Sequence, residues 1–376
     1  MVCITPIGCY FKKLFMCYMK YMKTTSNKMK KIAIIACFIG KVHSYFSLWL
    51  KSAGANADID FYLVGEMNLK DYELPPNCHV KPFTLQELEK EIRVKLQVPD
   101  AVLDIPYKTG DYRPMFGEIF QDWLKDYDVW GYCDIDVVFG NLRKFLTDEK
   151  LDAYDKIYPL GHLSLYKNTP EVNARWRLPD ARFDIKNVLT SPEVFAFDEW
   201  RGIHNIYMRN GFPFYRTVEY ANPSAECHRF LFKNRSDPRY ERNPDNYSQM
   251  CFYWENGGLY RAFNAGSKRN PKICVDEFSY MHFMKRKFPI PSKEVVESQA
   301  FFCSPDGFFV KEKLGVPSLE DIEKFNPLPV GGVLGEKLLF MFIRLMRWKR
   351  RFIAKHILKK NTFALRDENL HDSRKW

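Results

Sequence analysis

Three absences narrow the class of this protein. The ten cysteines include no CxxC pair and no secretory signal peptide precedes them, which favours reduced, cytosolic thiols over a disulfide framework. Lys12, Lys13, Lys20 and Lys23 interrupt the apolar residues near the start, so no run there reaches the roughly eighteen residues of a membrane span. No GxGxxG follows the apolar run that begins at Ile32, so the dinucleotide fingerprint is missing.

The composition is that of a folded protein with a large core. The chain has 376 residues, which suits one large α/β domain with extensions or two domains. Its hydrophobic content of 46% and aromatic content of 16% exclude global disorder.

The net charge of +11 is carried by the two ends of the chain. Residues 1–31 hold seven lysines and no acid, and residues 336–360 hold nine Lys or Arg against Glu336 alone. Removing these contributions of +7 and +8 from +11 leaves about −4 on residues 32–335. A protein that wraps nucleic acid carries its basic groove on the body. The charge distribution therefore argues against nucleic acid as the partner.

The first hundred residues alternate between strand and helix patterns. Apolar runs at Ile32–Phe38, Ile59–Val64 and Cys78–Pro82 predict buried strands. Val42–Leu50 and Leu85–Leu96 have helical spacing of apolar residues. This alternation predicts an α/β fold with a mostly parallel, Rossmann-like central sheet and flanking helices.

The segment YDVWGYCDIDVVFGNL, residues 127–142, combines a buried strand with paired carboxylates. Val129–Cys133 is almost without polar atoms, as in a strand covered on both faces. Asp134 and Asp136 follow it, at the strand end where ligands bind in parallel sheets. Burying unpaired carboxylates is costly, so the pair is expected to hold Mg²⁺ or Mn²⁺ beside substrate phosphates. The alternative is a pair of strand-end or helix-capping aspartates.

Charged residues also gather just before this strand. Lys108, Asp111 and Arg113 lie in a loop and at the start of a predicted helix whose apolar face includes Phe116 and Phe120. A cation here would meet a phosphate, and Asp111 would accept hydrogen bonds from a base or ribose. The alternative is an ordinary helix entry with a local Asp–Arg pair.

Four motifs carry a resemblance to known proteins: YKTGDYRP (107–114), DYDVWGYCDIDVVFGNL (126–142), GHLSLYKNTPEVN (161–173) and YMHFMKRK (280–287). With these motifs the chain resembles DXD-containing glycosyltransferases of the GT-A fold. It is most similar to a bacterial glycosyltransferase-like family of unknown function associated with capsule or lipopolysaccharide synthesis. The likeness covers roughly residues 31–290.

The resemblance implies roles for individual residues. It places Asp134 near the ribose and the metal, gives Asp136 the direct bond to Mn²⁺ or Mg²⁺, and makes His282 the residue that completes the metal shell. Lys285, or a neighbour, would lie against the diphosphate of a UDP or GDP sugar. The alternatives are a structural histidine and a solvated basic turn.

The catalytic base remains open at this stage. Asp198, Glu199, Glu219 and Asp245 are candidates for an inverting transfer, whereas the late His-x-x-Lys pattern resembles retaining enzymes, which need none. Near Gly161 the polar residues His162, Ser164 and Tyr166 alternate along a strand-like run, facing donor, acceptor or solvent.

The C-terminal segment Glu336–Lys360 places Leu, Phe, Met and Trp among basic residues. Such a helix commonly lies in a membrane interface, and its apolar run is too short to span. The alternative is a helix packed on the body. The expected organisation is an N-terminal extension (1–28), a GT-A-like catalytic domain (29–290), a C-terminal extension (291–335) and a basic amphipathic helix with a tail (336–376).

Together these inferences predict a metal-dependent glycosyltransferase of the hexosyltransferase type. It would move a sugar from a nucleoside diphosphate sugar to a surface-polysaccharide or lipid-linked acceptor, peripherally on the inner face of the cell membrane. The alternatives are an inert membrane-associated scaffold and a metal-dependent phosphohydrolase or nucleotidyltransferase. A hydrolase or nucleotidyltransferase would typically need a further carboxylate for a second metal.

Overall fold

The structure is a computed structural model. It describes residues 29–223, 228–231, 249–267, 269–284 and 286–328, together with eleven of the residues between 334 and 353. The predicted extension 1–28 and two predicted site residues, Lys285 and Asp245, lie outside the described residues.

The described strands, in chain order, are β1 (Ile32–Cys37), β2 (Ile59–Val64), β3 (Cys78–Lys81), β4 (Val129–Cys133), β5 (Val137–Phe139), β6 (Lys156–Leu160), β7 (Leu163–Lys167), β8 (Phe214–Tyr215), β9 (Met250–Glu255), β10 (Gly258–Asn264), β11 (Ile273–Phe278), β12 (Tyr280–His282), β13 (Ala300–Ser304) and β14 (Gly307–Val310).

The described helices up to residue 328 are α1 (Phe46–Gly54), α2 (Leu85–Leu96), α3 (Thr109–Tyr112), α4 (Phe116–Ile119), α5 (Gln121–Leu124), α6 (Leu142–Phe145), α7 (Asp148–Ala153), α8 (Pro170–Asn173), α9 (Ile185–Thr190), α10 (Ile203–Asn210), α11 (Lys293–Glu297) and α12 (Leu319–Phe325). Single 3₁₀ turns cover Pro106–Lys108, Arg113–Met115 and Arg175–Arg177.

The central sheet confirms the predicted α/β class. Its strand order is β3-β2-β1-β4-β7-β6-β8, and β1 pairs in parallel with both β2 and β4. Strand β7 is antiparallel to β4 and to β6. Every residue of β1 is buried because the two sheet faces enter different cores, Ile32 and Ile34 on one side and Ala33 and Ile35 on the other. The sheet is therefore mostly parallel and covered on both faces.

Helix α2 illustrates how the sequence pattern sets the local structure. It begins with a reciprocal capping box between Thr84 and Glu87, which satisfies two free N–H groups. Its buried face is the i, i+4, i+8 series Leu88, Ile92 and Leu96, which packs against the central sheet. The predicted bounds of this helix, of β2 and of β4 are those of the structure.

The segment before β4 differs from its prediction. A single helix was expected to start at Arg113 and run through Leu124, but the structure has a 3₁₀ turn over Arg113–Met115 and then two one-turn helices, α4 and α5, separated at Phe120 with φ −108° and ψ 23°. The break allows the Phe120 ring to stack on Trp123 with a centroid distance of 4.7 Å. Phe116, Ile119, Phe120 and Leu124 are nevertheless buried, so the predicted apolar face is correct.

A second sheet packs against β5, which forms a two-stranded ladder with β12 outside the central sheet. It is antiparallel, with the order β11-β10-β9-β13-β14, and Trp254 of β9 donates from Nε1 to the Phe139 carbonyl of β5 at 3.0 Å. Strand β13 pairs with β9, so this sheet continues across the boundary predicted at residue 290. Among the described residues, no helix is long and apolar enough to cross a membrane.

Candidate metal site

Asp134 and Asp136 lie at the carboxyl end of β4, beside the carboxyl end of β1. After β1 the chain adds β2 on one side and later crosses to add β4 on the other, so the crevice between them is a topological switch point, where α/β sheets bind ligands. The Asp134 backbone N–H donates to the His162 carbonyl at 3.1 Å. The Asp136 carbonyl accepts from the Phe283 N–H at 2.9 Å. Both aspartates are thus fixed by main-chain bonds.

His282 reaches these aspartates from a distant part of the sequence. Strand β12 pairs antiparallel with β5, with His282 opposite Val137, the residue after Asp136. His282 Nε2 lies 3.3 Å from Asp136 Oδ1 and 3.7 Å from Asp134 Oδ2. One potential ligand atom from each residue lies within 4.8 Å of the others. The two-strand ladder therefore brings the predicted Asp-x-Asp and His into one cluster.

A second hydrogen bond orients the His282 ring. Its Nδ1 lies 3.1 Å from the Asn222 side-chain oxygen, which only accepts, so Nδ1 carries a proton and Nε2 is the ring nitrogen that faces the two carboxylates. A fixed tautomer of this kind is the usual arrangement of a metal-binding histidine. Burial by itself lowers the pKa of His282, but Asp136 and Asp134 raise it above its ordinary value. The same negative field favours a bound cation.

Arg113 is the cation that ties the aspartates to the rest of the pocket. Its Nη2 donates to Asp134 Oδ1 at 2.6 Å and its Nη1 to Asp198 Oδ2 at 3.0 Å. Nη1 also donates to the Gly161 carbonyl at 3.1 Å. The guanidinium thereby fixes the Asp134 rotamer and connects it to a second acidic pair.

That second pair is Asp198 and Glu199, two of the residues predicted as candidate bases. Burial raises the pKa of Asp198 to about 8, and burial also raises the pKa of Glu199. Glu199 Oε1 accepts from the Gly161 N–H at 3.2 Å. A Cβ at Gly161 would stand 2.4 Å from Asp198 Oδ2, so only glycine permits this approach. Asp198 is buried and Glu199 is half-buried, and Arg113 connects this pair to the Asp134 carboxylate.

Lys108 and Asp111 occupy a different place from the one expected. Both are fully buried, and Lys108 Nζ donates to Asp111 at 3.2 Å and to the carbonyls of Val188 and Glu193. The Asp111 carboxylate accepts from the N–H groups of Phe195 and Phe197. These bonds hold the left-handed residue Ala196, φ 52°, just before Asp198. The structure therefore places this ion pair behind the Asp198 loop and not at the Asp134 cluster.

The other residues predicted from the sequence do not join the Asp134, Asp136 and His282 cluster. Glu219 accepts from Lys150, Tyr158 and Tyr215 in a network of its own. Lys285 and Asp245 lie outside the described residues. Asn222 was missed, because an asparagine that orients a histidine leaves no spacing signal. Asp198 and Glu199 were named, but nothing in the sequence linked them to Arg113.

The sequence between residues 34 and 312 matches the model of a family of unknown function, DUF6625. The chain belongs to this family. The matched range contains all three residues of the Asp134, Asp136 and His282 cluster, together with Arg113. No curated protein matches the sequence.

Three solved structures give weak likenesses. One is the galactosyltransferase LgtC in complex with donor and acceptor sugar analogs, at 13% identity and a TM-score of 0.35, covering 68% of this chain and 88% of that one. Another is the apo form of mouse xyloside xylosyltransferase 1, at 9% identity and a TM-score of 0.31, covering 52% of this chain and 88% of that one. The third is an active-site mutant of LgtC, at 14% identity and a TM-score of 0.31, covering 56% of this chain and 81% of that one. Likenesses this low assign no activity and no residue role to this chain.

Proposed function

We propose that this protein is a metal-dependent glycosyltransferase of the GT-A type. It moves a hexosyl group from a UDP or GDP sugar to a glycan acceptor. The observation that carries the proposal is the cluster of Asp134, Asp136 and His282 at the switch point of the sheet, with Arg113 and the buried carboxyl group of Asp198 beside it. This edge is where an α/β sheet accommodates a nucleotide.

The residues present fit a divalent cation. Two carboxylates and one imidazole with a fixed lone pair form the donor set, which suits Mn²⁺ or Mg²⁺ completed by phosphate oxygens or water. Asp134 and Asp136 bring two carboxylates within 4.8 Å of each other, and Arg113 contacts Asp134 and Asp198. Carboxylates held this close together are stabilised by a divalent ion.

The proposed reaction breaks the bond between the anomeric carbon and the diphosphate oxygen and forms a bond from that carbon to an acceptor hydroxyl, whose proton is released. A bound cation would stabilise the charge that develops on the departing diphosphate. Asp134, Asp136 and His282 would hold it, and Arg113 would keep Asp134 in the required rotamer. Such a leaving group needs no general acid.

Asp198 and Glu199 suit the recognition of the transferred sugar. A protonated Asp198 donates one hydrogen bond and a carboxylate accepts several, which matches the mixed donor and acceptor character of sugar hydroxyls. Because Arg113 connects the pair to Asp134, a sugar held by Asp198 and Glu199 would be next to the residues that would hold the metal.

The C-terminal helix supports an acceptor at the inner face of the cell membrane. The described residues between 334 and 353 are helical, and their large apolar side chains are exposed. Leu338, Phe342, Leu345 and Trp348 are 53–64% exposed and recur at helical spacing on one face. Basic residues surround them in the sequence. An amphipathic helix of this composition binds the interface of an anionic membrane, where a lipid-linked or surface-polysaccharide acceptor would be found.

Calorimetric titration with UDP and GDP sugars in the presence of Mn²⁺ tests the proposal. Binding of at least one sugar nucleotide, lost on chelation and in Asp136→Ala, is the expected result. The absence of binding by any donor would favour an inert scaffold, and release of inorganic phosphate from the nucleotide would favour a phosphohydrolase. Undiminished binding in Asp136→Ala would contradict the site assignment.

A further inference from the structure

His162 carries a buried polar atom that has no hydrogen-bond partner among the described residues. His162 lies in the turn between β6 and β7 and is only 4% exposed. Its Nε2 is fully buried and makes no hydrogen bond to any described residue. A buried donor or acceptor without a partner destabilises the folded protein. Such an atom calls for a physical explanation, and a bound ligand that satisfies it is one.

The position of this ring places it inside the proposed site. It stacks on the ring of His282, with centroids 4.4 Å apart and planes at 25°. The His162 carbonyl accepts from the Asp134 N–H, so the main chain is fixed to the strand end that carries the cluster. The Asp136 carboxylate and the His282 ring both contribute to the electrostatic environment of the imidazole.

The tautomer of His162 follows from its other nitrogen. Nδ1 lies 2.7 Å from the hydroxyl of Tyr280, which is fully buried and makes no second hydrogen bond to a described residue. If Nδ1 donated, the Tyr280 O–H and the Nε2 lone pair would both be buried without partners. If Tyr280 donates, only one polar group lacks a partner. With Nδ1 accepting from the Tyr280 hydroxyl, the single proton of the imidazole lies on Nε2.

A neighbouring network holds the turn that carries this ring. Lys156, itself fully buried, donates from Nζ to the Tyr158 carbonyl and to Ser164 Oγ at 2.7 Å. Ser164 Oγ lies 3.0 Å from the Leu160 carbonyl. Tyr158 has a positive φ of 66°, where the register between β6 and β7 shifts. The imidazole is thus presented in one orientation before any ligand arrives, which is the preorganisation that a binding residue needs.

We propose that His162 is a substrate-binding residue whose Nε2–H donates a hydrogen bond to an acceptor oxygen of the nucleotide sugar held at the Asp134, Asp136 and His282 cluster. This inference rests on the proposed function. The acceptor is a phosphate oxygen or a sugar oxygen, because the nucleotide sugar carries both kinds of oxygen on either side of the bond that breaks. A protonated Nε2 does not coordinate a metal, so His162 is not a fourth metal ligand.

The test uses the double variant His162→Phe/Tyr280→Phe. It keeps the aromatic stack on His282 and removes both polar partners, a change that is nearly neutral for stability when the replacements fill the same space. Tyr207→Phe is the control, because it removes a buried hydroxyl from the core formed by α10 and β7, away from the site. Thermal melting of each variant without ligand establishes that it folds.

Affinities for Mn²⁺, for the nucleoside diphosphate and for its sugar are then measured by calorimetry. We expect the double variant to bind the sugar nucleotide about tenfold more weakly, because it loses one buried hydrogen bond. Its affinity for Mn²⁺ should equal that of the wild type, and Tyr207→Phe should have the wild-type affinity for all three ligands. Equal loss for the diphosphate alone assigns the bond to a phosphate oxygen, and loss only for the sugar nucleotide assigns it to the sugar. Unchanged affinity for both, or a tenfold loss of Mn²⁺ affinity, overturns the inference. Failure of the wild type to bind any sugar nucleotide overturns the proposed function instead.

Discussion

Replacing Asp136 by Asn should stabilise the metal-free protein while removing its response to metal. Ligand atoms of Asp134 and Asp136 lie within 4.8 Å of each other, and two full charges at that distance repel by about 3.5 kcal/mol at an effective dielectric constant of about 20. The Asp134 side chain is 27% exposed and the attraction between Asp136 and His282 is also lost, so we expect a net gain of about 1–2 kcal/mol. Sites that bind ligands commonly sacrifice stability in this way.

The assay is thermal unfolding at pH 8, first in EDTA and then with Mn²⁺. In EDTA we expect Asp136→Asn to melt about 2–5 °C above the wild type. At a Mn²⁺ concentration 100 times the dissociation constant, the wild type gains about 2.7 kcal/mol and the variant gains none. Asp60→Asn is the matched control, because Asp60 bonds Tyr127 and His79 outside the site; its response to Mn²⁺ should be intact. A destabilised Asp136→Asn variant that still responds to Mn²⁺ would mean that Asp136 is a structural carboxylate.

Three further predictions follow from the same geometry. The pKa of Asp198 is about 8 in the folded protein, which exceeds its unfolded value, so the folded protein retains a proton that the unfolded chain releases. The free energy of unfolding should therefore decrease as the pH rises from about 4 to about 8. Urea unfolding in EDTA should show a shallower pH dependence in Asp198→Asn, and an equal slope would refute the assignment. Lys108→Met should destabilise the fold by about 3–5 kcal/mol by leaving Asp111 unpaired, with a much smaller effect on nucleoside diphosphate affinity; the reverse pattern would restore Lys108 as a phosphate contact. Leu345→Glu/Trp348→Glu should reduce sedimentation with anionic vesicles, whereas Val275→Glu on the exposed edge strand β11 should not, and equal binding by all three proteins would exclude the helix as the anchor.

Local patterns predicted the parts of the fold that depend on local physics. Strands β2 and β4 and helix α2 have the expected bounds, because each is a run with one periodicity between clear turn or capping signals. The break at Phe120 was not predictable from periodicity, because the apolar spacing is the same on both sides of it. The second sheet was also missed, since antiparallel pairing of β9 with β13 depends on contacts about fifty residues apart.

In the candidate site, too, the sequence revealed the residues that form a local pattern and not those that depend on tertiary contacts. Asp134 and Asp136 were visible because a buried strand ending in two carboxylates is a local pattern, and His282 was visible only through the family resemblance. Lys108 and Asp111 looked like ligand-binding residues because sequence does not reveal burial; they form a closed ion pair. The unpartnered Nε2 of His162 is a tertiary property, since it depends on Tyr280, 118 residues away.

The most direct test of the central claim is the release of nucleoside diphosphate from UDP and GDP sugars by the purified protein. With Mn²⁺ and an acceptor or water, the wild type should release UDP or GDP from at least one donor, EDTA should abolish the release, and Asp136→Asn should show none. Release that persists in EDTA and in Asp136→Asn would contradict the metal site, and no release from any donor would contradict the assignment as a glycosyltransferase.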